Sequence, residues 1–200
     1  MWRELKLLWK HRSAVRTALG RHIALLEGDG DAASLGGLTD DEVQGLITWL
    51  PDEGVFVEFG TLFGLTAKAV AAAKPKLKTI ALDNFSWNPF GLPGDLHEAF
   101  TRRILANELA DGRVELVKAD SADFRANWSG AAPDAVFLDA LHQYEPVRDE
   151  IAWAKKTGCK CICGHDYASE HDIFGVTQAV MEAFPGGIAI CGRCWRGVCA

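Results

Sequence analysis

The hydrophobic positions of the chain change period several times after residue 39. Nearly continuous apolar runs, which are typical of strands buried on both faces, occur at residues 55–59, 78–82, 114–118, 135–138 and 159–163. Helical spacing or composition predicts helices at 39–50, 66–74, 96–109, 146–156 and 174–184. Residues 187–191 and 195–199 predict a closing hairpin. Because strands that alternate with helices form a parallel sheet covered on both faces, we predict an α/β fold with an antiparallel edge.

The first 37 residues depart from this alternation. Apolar residues recur at helical spacing over residues 2–27, which predicts one or two amphipathic helices, and the glycine-rich segment 28–37 predicts a linker. We therefore divide the chain into a helical appendage with its linker, residues 1–37, and a main domain, residues 38–200. The appendage is expected to serve either as a lid or as a contact in a homodimer.

Composition and charge limit the classes of protein to consider. Hydrophobic residues make up 48% of the chain and charged residues 24%, and no apolar stretch approaches the roughly 18 residues that a membrane span needs. The chain also begins without a secretory signal pattern, so a cytoplasmic location is expected. Of the net charge of -6, the first 22 residues contribute +5 and the rest -11. Such an acidic main domain disfavours nucleic acid as a partner.

All six cysteines lie in the last 42 residues. Three of them, at 159, 161 and 163, alternate along a predicted strand and are expected to share one face. Cys191 and Cys194 have the spacing of a zinc knuckle, but a structural zinc site needs four ligands. We expect reduced, buried thiols, with a zinc site or a disulfide as the alternatives.

Acidic and histidine side chains follow two of the predicted strands. Asp139 and His142 come after the strand at 135–138, and His165 and Asp166 come after the strand at 159–163. Ligands of parallel sheets collect beyond the carboxyl ends of the strands, and neighbouring strands are about 4.8 Å apart. If these strands are neighbours, two carboxylates and two imidazoles crowd one pocket, which requires a cation or a shared proton. The sequence therefore predicts a reaction centre there.

A glycine-rich turn follows the first predicted strand and leads directly into a helix; its sequence over residues 58–66 is EFGTLFGLT. It lacks the third glycine of a dinucleotide-binding turn, and its acid, Glu58, suits a cationic ligand better than a phosphate. Asp83, at the end of the second strand, is placed to accept hydrogen bonds from ribose hydroxyls. Asp120 and Ser121, after the third strand, are placed to contact a base edge. Together these features predict a site for a cationic nucleoside, as S-adenosylmethionine is.

Several motifs support a family resemblance. The segment VEFGTLFGLT (57–66) resembles motif I of class I S-adenosylmethionine-dependent methyltransferases, in the branch with catechol and caffeoyl-CoA O-methyltransferases. FLDALHQYE (137–145), GHDY (164–167), and the pairs Gly175-Val176 and Ala179-Val180 resemble macrolide-sugar O-methyltransferases and cephalosporin-hydroxylase-like proteins. The resemblance implies a Rossmann-like sandwich: a seven-stranded, mostly parallel sheet with an antiparallel last strand and helices on both faces.

The resemblance also implies a reaction, the O-methylation of a hydroxyl on a small-molecule acceptor. The cofactor would contact Glu58, Gly60, Thr61, Gly64, Asp83, Asp120, Ser121 and Asp139. In the metal-dependent members, Asp139 and Asp166 match metal ligands, with His165 beside them, and His142 matches a proposed general base. Asp139, His142 and His165 are therefore the expected catalytic residues.

Several alternatives remain open from the sequence. Metal-binding relatives often have an oxygen ligand where this chain has His165, and a nitrogen ligand favours manganese, iron or zinc over magnesium. An ion such as Mg²⁺ or Mn²⁺ and a metal-free mechanism with His142 or His165 as the base are both consistent with the residues. A hydroxylase-like activity and a non-catalytic nucleoside-binding role are the alternative functions. The loop at 84–94, rich in aromatic residues, is expected to shape the acceptor pocket.

Overall fold

The computed structural model describes Trp9 and residues 37–87, 92–168 and 175–198. Seven helices and seven strands are assigned within these ranges. The helices are α1 (Asp40–Trp49), α2 (Leu65–Ala73), α3 (Gly94–Ile104), α4 (Ala106–Ala110), α5 (Ser121–Asn127), α6 (Tyr144–Thr157) and α7 (Val176–Ala183). The strands are β1 (Glu53–Phe59), β2 (Lys76–Asp83), β3 (Val114–Lys118), β4 (Ala135–Leu138), β5 (Cys161–Gly164), β6 (Ile188–Cys191) and β7 (Cys194–Gly197).

The strands form one sheet in the order β3-β2-β1-β4-β5-β7-β6. The first five strands in that order pair in parallel, whereas β7 is antiparallel to both β5 and β6. The predicted α/β fold with seven strands and an antiparallel closing hairpin is therefore confirmed. The order of strand addition reverses beside β1: β2 and β3 are added on one side of it, and β4 and β5 on the other. Open parallel sheets bind their ligands at such a reversal.

Successive residues of the central strands face opposite sides of the sheet, and helices cover both sides. Val57 and Val136 pack with α6 and α7, whereas Phe56 and Ala135 pack with α1. All four of these strand side chains are fully buried. Burial on both faces explains why these strands are continuous apolar runs in the sequence rather than alternating ones.

Three details differ from the sequence prediction. Helix α5 was not predicted, because its sequence, SADFRAN, is short and lacks an apolar period. The predicted helix 96–109 is divided into α3 and α4 at Leu105. The expectation that three cysteines share one face is wrong for Cys159, because β5 begins only at Cys161; Cys159 packs on the α6 side, whereas Cys161 and Cys163 pack on the α1 side.

Other expectations concern residues that the structure covers in part. The predicted helices at 2–27 lie outside the described residues except for Trp9, and of the predicted linker only Gly37 is described. In the predicted acceptor loop, residues 88–91, which include Phe90, also lie outside the described residues, and so does Cys199. No disulfide joins the five described cysteines. Within the described part of the chain, no helix combines the length and the apolar character that crossing a membrane would require.

The packing of β5 against its neighbours gives a test of this fold. A Cβ atom on Gly164 would lie 2.7 Å from the carbonyl oxygen of Leu138 and 2.7 Å from the indole ring of Trp195. Trp195 is fully buried, so neither neighbour has room to move. We expect Gly164→Ala to lower the free energy of unfolding by about 1–3 kcal/mol, the usual cost of overpacking, as measured by urea denaturation.

Gly186→Ala is the matched control, because the nearest atom to its added Cβ is 3.9 Å away. Equal stability of the two variants would contradict the described packing at the end of β5.

Candidate active site

The register of three central strands brings the polar strand ends together. Phe59 pairs with Leu138, and Leu138 pairs with Gly164, so β1, β4 and β5 end at the same level. The backbone hydrogen bonds between these strands continue one residue beyond the strand ends. The N–H of Asp139 donates to the carbonyl of Phe59 (2.9 Å), and the N–H of His165 donates to the carbonyl of Leu138 (3.1 Å). The sequence expectation that the two acid and histidine clusters lie on neighbouring strands is thus met.

The glycine-rich turn packs directly against the end of β4. Gly60 has φ +83°, and a Cβ atom there would lie 2.2 Å from the carbonyl oxygen of Asp139. Only glycine permits this conformation and this approach. The turn and Asp139 together line a recess, whose walls are formed by Gly37, Gly60, Thr61, Leu62, Phe63, Leu65, Thr66 and Asp139. Asp139 therefore belongs both to the recess and to the acid and histidine cluster.

Leu62 in the middle of the turn is held from three sides. It has φ +51°, which is unusual for a residue with a side chain. Its N–H donates to a carboxylate oxygen of Asp83 (2.8 Å), and its carbonyl accepts from His97 Nε2 (3.0 Å) and from the Thr101 hydroxyl (2.7 Å). His97 and Thr101, both on α3, were not predicted as site residues, because a buried histidine and threonine on a helix carry no motif.

Asp83, which was predicted to bind ribose hydroxyls, also connects two segments of the protein. One carboxylate oxygen accepts from Leu62 N–H and the other from Phe85 N–H (2.7 Å), so Asp83 joins the glycine-rich turn to the loop after β2. Each oxygen keeps a second lone pair, which leaves hydrogen-bonding capacity for a ribose hydroxyl.

Glu58 lies beneath the turn rather than at its surface. Its side chain is 1% exposed and accepts a hydrogen bond from the Thr61 hydroxyl. Burial, together with the nearby charges of Asp139 and Asp83, raises the pKa of Glu58 to about 8, although the Thr61 hydrogen bond opposes this. The carboxyl group is therefore neutral near pH 7, and a cation beside it would favour loss of its proton.

Asp120 and Ser121 lie at the other end of the predicted nucleoside site, at the start of α5. Asp120 is exposed and accepts from the side-chain amide of Asn84 (2.6 Å). The Ser121 hydroxyl donates to the buried carboxyl group of Glu150 on α6. Ser121 is thus directed towards the protein interior, while Asp120 remains at the surface.

Asp139, His142, His165 and Asp166 form one cluster. His142 Nδ1 is 2.9 Å from Asp166 Oδ2, and His165 Nδ1 is 3.5 Å from Asp139 Oδ1 and 3.6 Å from Asp166 Oδ2. His165 is buried, whereas the His142 side chain is 41% exposed. Asp166 has φ +58°, a conformation of the kind that often occurs at functional sites.

The charges in this cluster stabilise one another. Burial lowers the pKa of His165, but Asp139 and Asp166 outweigh burial and raise it to about 10, so the ring is a cation at neutral pH. Burial raises the pKa of Asp166, but its hydrogen bonds with His142 and His165 hold that pKa well below its usual range. The hydrogen bond with Asp166 raises the pKa of His142 above its ordinary value, against the effect of burial.

The same cluster has the composition of a divalent-cation site. One ligand atom from each of Asp139, His142 and Asp166 lies within 4.8 Å of the others. Two carboxylates and an imidazole suit manganese, iron or zinc. The residues present therefore fit a divalent ion. The group contains His142 where the sequence predicted His165 as the nitrogen ligand.

Two further residues complete the cluster from outside the predicted motifs. Glu42 on α1 is 3% exposed, and its Oε1 lies 3.4 Å from His165 Nε2. Arg193, in the turn between β6 and β7, places Nη1 3.0 Å from Asp166 Oδ1. In the sequence Glu42 looked like an ordinary first-turn acid of a helix, and no pattern marked Arg193.

Comparison with known proteins agrees with this geometry. Residues 57–160 match the model of a family described as a methyltransferase domain. The chain belongs to that family. Its matched segment begins in β1, includes the glycine-rich turn and ends just before β5. By family and fold it is a class I, S-adenosylmethionine-dependent methyltransferase.

Solved structures of other proteins, two of them described as methyltransferases, show the same fold. One is the cofactor-bound Rv0187 from MTB, with 20% identity, a TM-score of 0.61, and coverage of 93% of this chain and 89% of the other. Another is a precorrin-6y C5,15-methyltransferase from Geobacter metallireducens GS-15, with 15% identity, a TM-score of 0.59, and coverage of 84% and 90%. A third is CalS11, a TDP-rhamnose 3'-O-methyltransferase of calicheamicin biosynthesis, with 18% identity, a TM-score of 0.53, and coverage of 78% and 75%. No curated protein matches the methyltransferase in sequence.

The contact between Ser121 and Glu150 gives a test that depends on pH. Burial raises the pKa of Glu150 to about 7, although Ser121 and Arg125 oppose this, and its Oε2 has no hydrogen-bond partner among the described residues. Between pH 4.5, the ordinary value, and pH 7, the unfolded chain loses this proton while the folded protein keeps it. Native stability therefore falls through this range as pH rises. Glu150→Gln removes the ionisable group and with it this dependence of stability on pH.

We expect Glu150→Gln to match the wild type in stability near pH 4 and to exceed it by up to about 3 kcal/mol at pH 8, as measured by denaturation. Glu145→Gln, an exposed change on the same helix, is the control and should show no such trend. A constant difference between Glu150→Gln and the wild type from pH 4 to pH 8 would be evidence against a neutral buried carboxyl group.

Proposed function

We propose that this methyltransferase transfers the methyl group of S-adenosylmethionine to a hydroxyl group of a small molecule. The observation that carries the proposal is the His142–Asp166 pair, which lies beside Asp139 and hence beside the recess of the glycine-rich turn. An acceptor hydroxyl must lose a proton as it attacks the methyl carbon, and this pair is suited to remove it.

Asp166 makes His142 a base. Its Oδ2 lies 2.9 Å from Nδ1, which favours the tautomer with the proton on that nitrogen and leaves the lone pair on Nε2. The ring gains positive charge when it accepts the acceptor's proton, and the carboxylates of Asp166 and Asp139 stabilise that charge. Partial exposure of His142 keeps its ring within reach of a bound molecule.

The cofactor would occupy the recess beside Gly60 and Thr61. Gly60 and Gly64 have positive φ and give the turn its tight shape, and the polar oxygens of Asp83 and Asp120 would be available for the nucleoside. Glu58, neutral near pH 7, would become a carboxylate in response to the positive charge of the cofactor. Asp139 would then lie between the cofactor and the acceptor.

Asp139 and Asp166 would hold a divalent ion, with Nδ1 of His165 beside them, and His142 would remain free to act as the base. Such an ion would lower the pKa of the acceptor hydroxyl and orient its oxygen. The protein's own contribution is to hold the two carboxylates in place, through the backbone of β4 and β5 and through the Arg193 contact with Asp166.

A sugar hydroxyl is one acceptor class worth testing first. CalS11, with the same fold, is described as a TDP-rhamnose 3'-O-methyltransferase. The exposed side chains of Trp87 and Leu141 lie in loops that follow β2 and β4, at the edge where the acceptor would enter. Apolar groups of this kind pack well on the face of a sugar or an aromatic ring.

The first experiment measures S-adenosylhomocysteine release from S-adenosylmethionine over a panel of sugars, catechols and macrolides. With any acceptor that turns over, we expect His142→Gln to lower kcat by about 10²–10⁴-fold, with little change in the KM for S-adenosylmethionine. Gln143→Ala, an exposed change at the next residue, should leave kcat unchanged. Cofactor binding without turnover of any acceptor would instead support a nucleoside-binding role, and an unchanged kcat in His142→Gln would rule out His142 as the base.

Metal removal forms a separate test. We expect EDTA to abolish turnover and Mn²⁺ to restore it better than Mg²⁺ does, because histidine nitrogen is a poor ligand for magnesium. Asp139→Asn and Asp166→Asn should raise the Mn²⁺ concentration needed for half-maximal activity. Full activity in the presence of EDTA would show a metal-free reaction with histidine as the only base.

A further inference from the structure

The carboxylate of Glu42 faces Nε2 of His165, the ring nitrogen on the side away from Asp139 and Asp166. Nδ1 of His165 faces Asp139 and Asp166, whereas Nε2 lies 3.4 Å from Glu42 Oε1. The side chains of Glu42 and His165 are each only 4% exposed. The imidazole ring therefore lies between α1 and the acceptor site, and it presents a different nitrogen to each.

The backbone of His165 is fixed on both sides. Its N–H donates to the carbonyl of Leu138 (3.1 Å), and its carbonyl accepts from the indole N–H of the fully buried Trp195 (3.2 Å). These bonds leave the ring orientation as the remaining freedom of the residue. Rotation of the ring by half a turn would exchange the positions of the two ring edges, so some contact must distinguish them.

Glu42 is itself held firmly. Oε2 accepts from the backbone N–H (2.9 Å) and the hydroxyl (3.0 Å) of Thr39, and Oε1 accepts from the backbone N–H of Arg193 (2.8 Å). A carboxylate has about four acceptor positions, so these three bonds leave one. Nε2 of His165 makes no other hydrogen bond among the described residues, and the free acceptor position of Glu42 is on Oε1, the atom nearest to it at 3.4 Å.

We propose that Glu42 is a positioning residue that accepts the Nε2 proton of His165 and so keeps Nδ1 directed at Asp139 and Asp166. The proposal rests on the acceptor site described under the proposed function. A carboxylate behind a histidine commonly fixes the tautomer and the orientation of the ring in this way. Glu42 would then have two roles, because the same carboxylate also caps α1 together with Thr39.

A metal ion is the competing occupant of this position. The Sγ atom of Cys194, a carboxylate oxygen of Glu42 and a ring nitrogen of His165 lie within 4.8 Å of one another. However, Nε of Arg193 is 3.9 Å from Oε1, and a second cation there would be repelled by the guanidinium group. A proton on Nε2 leaves the ring with at most one positive charge, which Glu42, Asp139 and Asp166 surround, so the geometry favours the proton over a divalent ion.

The test uses the whole chain labelled with ¹⁵N-histidine and prepared without added metal, and His165 is assigned through a His165→Gln variant. Wild type, Glu42→Gln and Thr39→Ala are compared by NMR. Thr39→Ala is the matched control, because it removes the helix cap but leaves the Glu42 carboxylate. We expect the Nε2 proton of His165 to give a downfield, slowly exchanging signal in the wild type and in Thr39→Ala, and to lose that shift and protection in Glu42→Gln, whose amide oxygen is a weaker acceptor.

A Mn²⁺ titration of the same three proteins gives the second readout. We expect Glu42→Gln to weaken Mn²⁺ binding by about 10–100-fold and Thr39→Ala to leave it unchanged. An Nε2 without a proton in the wild type, an unchanged His165 spectrum in Glu42→Gln, or equal weakening in Thr39→Ala would each overturn the proposal. So would stoichiometric zinc in the purified protein that Cys194→Ala removes.

The experiments distinguish a failure of the proposed metal-assisted reaction from a failure of the proposed role of Glu42. If the wild type bound no Mn²⁺, the metal-assisted form of the proposed function would fail, but the NMR comparison, made without metal, would still decide the role of Glu42. A Glu42→Gln variant that did not fold would leave the wild-type spectrum as the deciding measurement.

Discussion

The parallel pairing of β4 with both β1 and β5 is the constraint on which the site depends. Each of these strands is buried on both faces, so its register is fixed by packing on two sides, and a slip of one residue would move every side chain into the core on the opposite face, which it does not fit. The fixed register places the end of β4 between the glycine-rich turn and the end of β5. Asp139 therefore adjoins both the recess and His165 without any long-range loop to position it.

Burial gives this arrangement its electrostatic character. Removing carboxylates from water favours their neutral forms, as at Glu58, unless a positive partner lies close by. Asp166 has such partners in both histidines and in Arg193, and it keeps its charge. The two sides of Asp139 thus differ: the neutral carboxyl group of Glu58 lies beneath the glycine-rich turn, and paired charges lie towards the end of β5. This asymmetry suits a reaction in which a cationic donor meets an acceptor that must lose a proton.

Much of the fold and the core of the site could be predicted from the sequence, because buried strands and the residues that end them leave local signals. Asp139, His142, His165 and Asp166 are examples, since each lies within a few residues of a strand end. Glu42 and Arg193 could not be predicted, because their roles arise where α1 and the final hairpin pack against β5, far apart in the sequence. The pattern T-x-x-E at residues 39–42 accounts for Glu42 as a helix cap and so hid its second contact. The positive φ of Leu62 could not be predicted either, because leucine rarely adopts that conformation.

The carboxylate of Asp83 has a consequence for how the two ligands interact. Because its two oxygens accept from Leu62 of the glycine-rich turn and from Phe85 of the following loop, the two segments cannot move independently without breaking one of these hydrogen bonds. A molecule that orders one segment lowers the entropy cost of ordering the other. By thermodynamic linkage the effect is mutual, so cofactor and acceptor would each tighten the binding of the other by the same factor. A single side chain would then make the two binding steps cooperative.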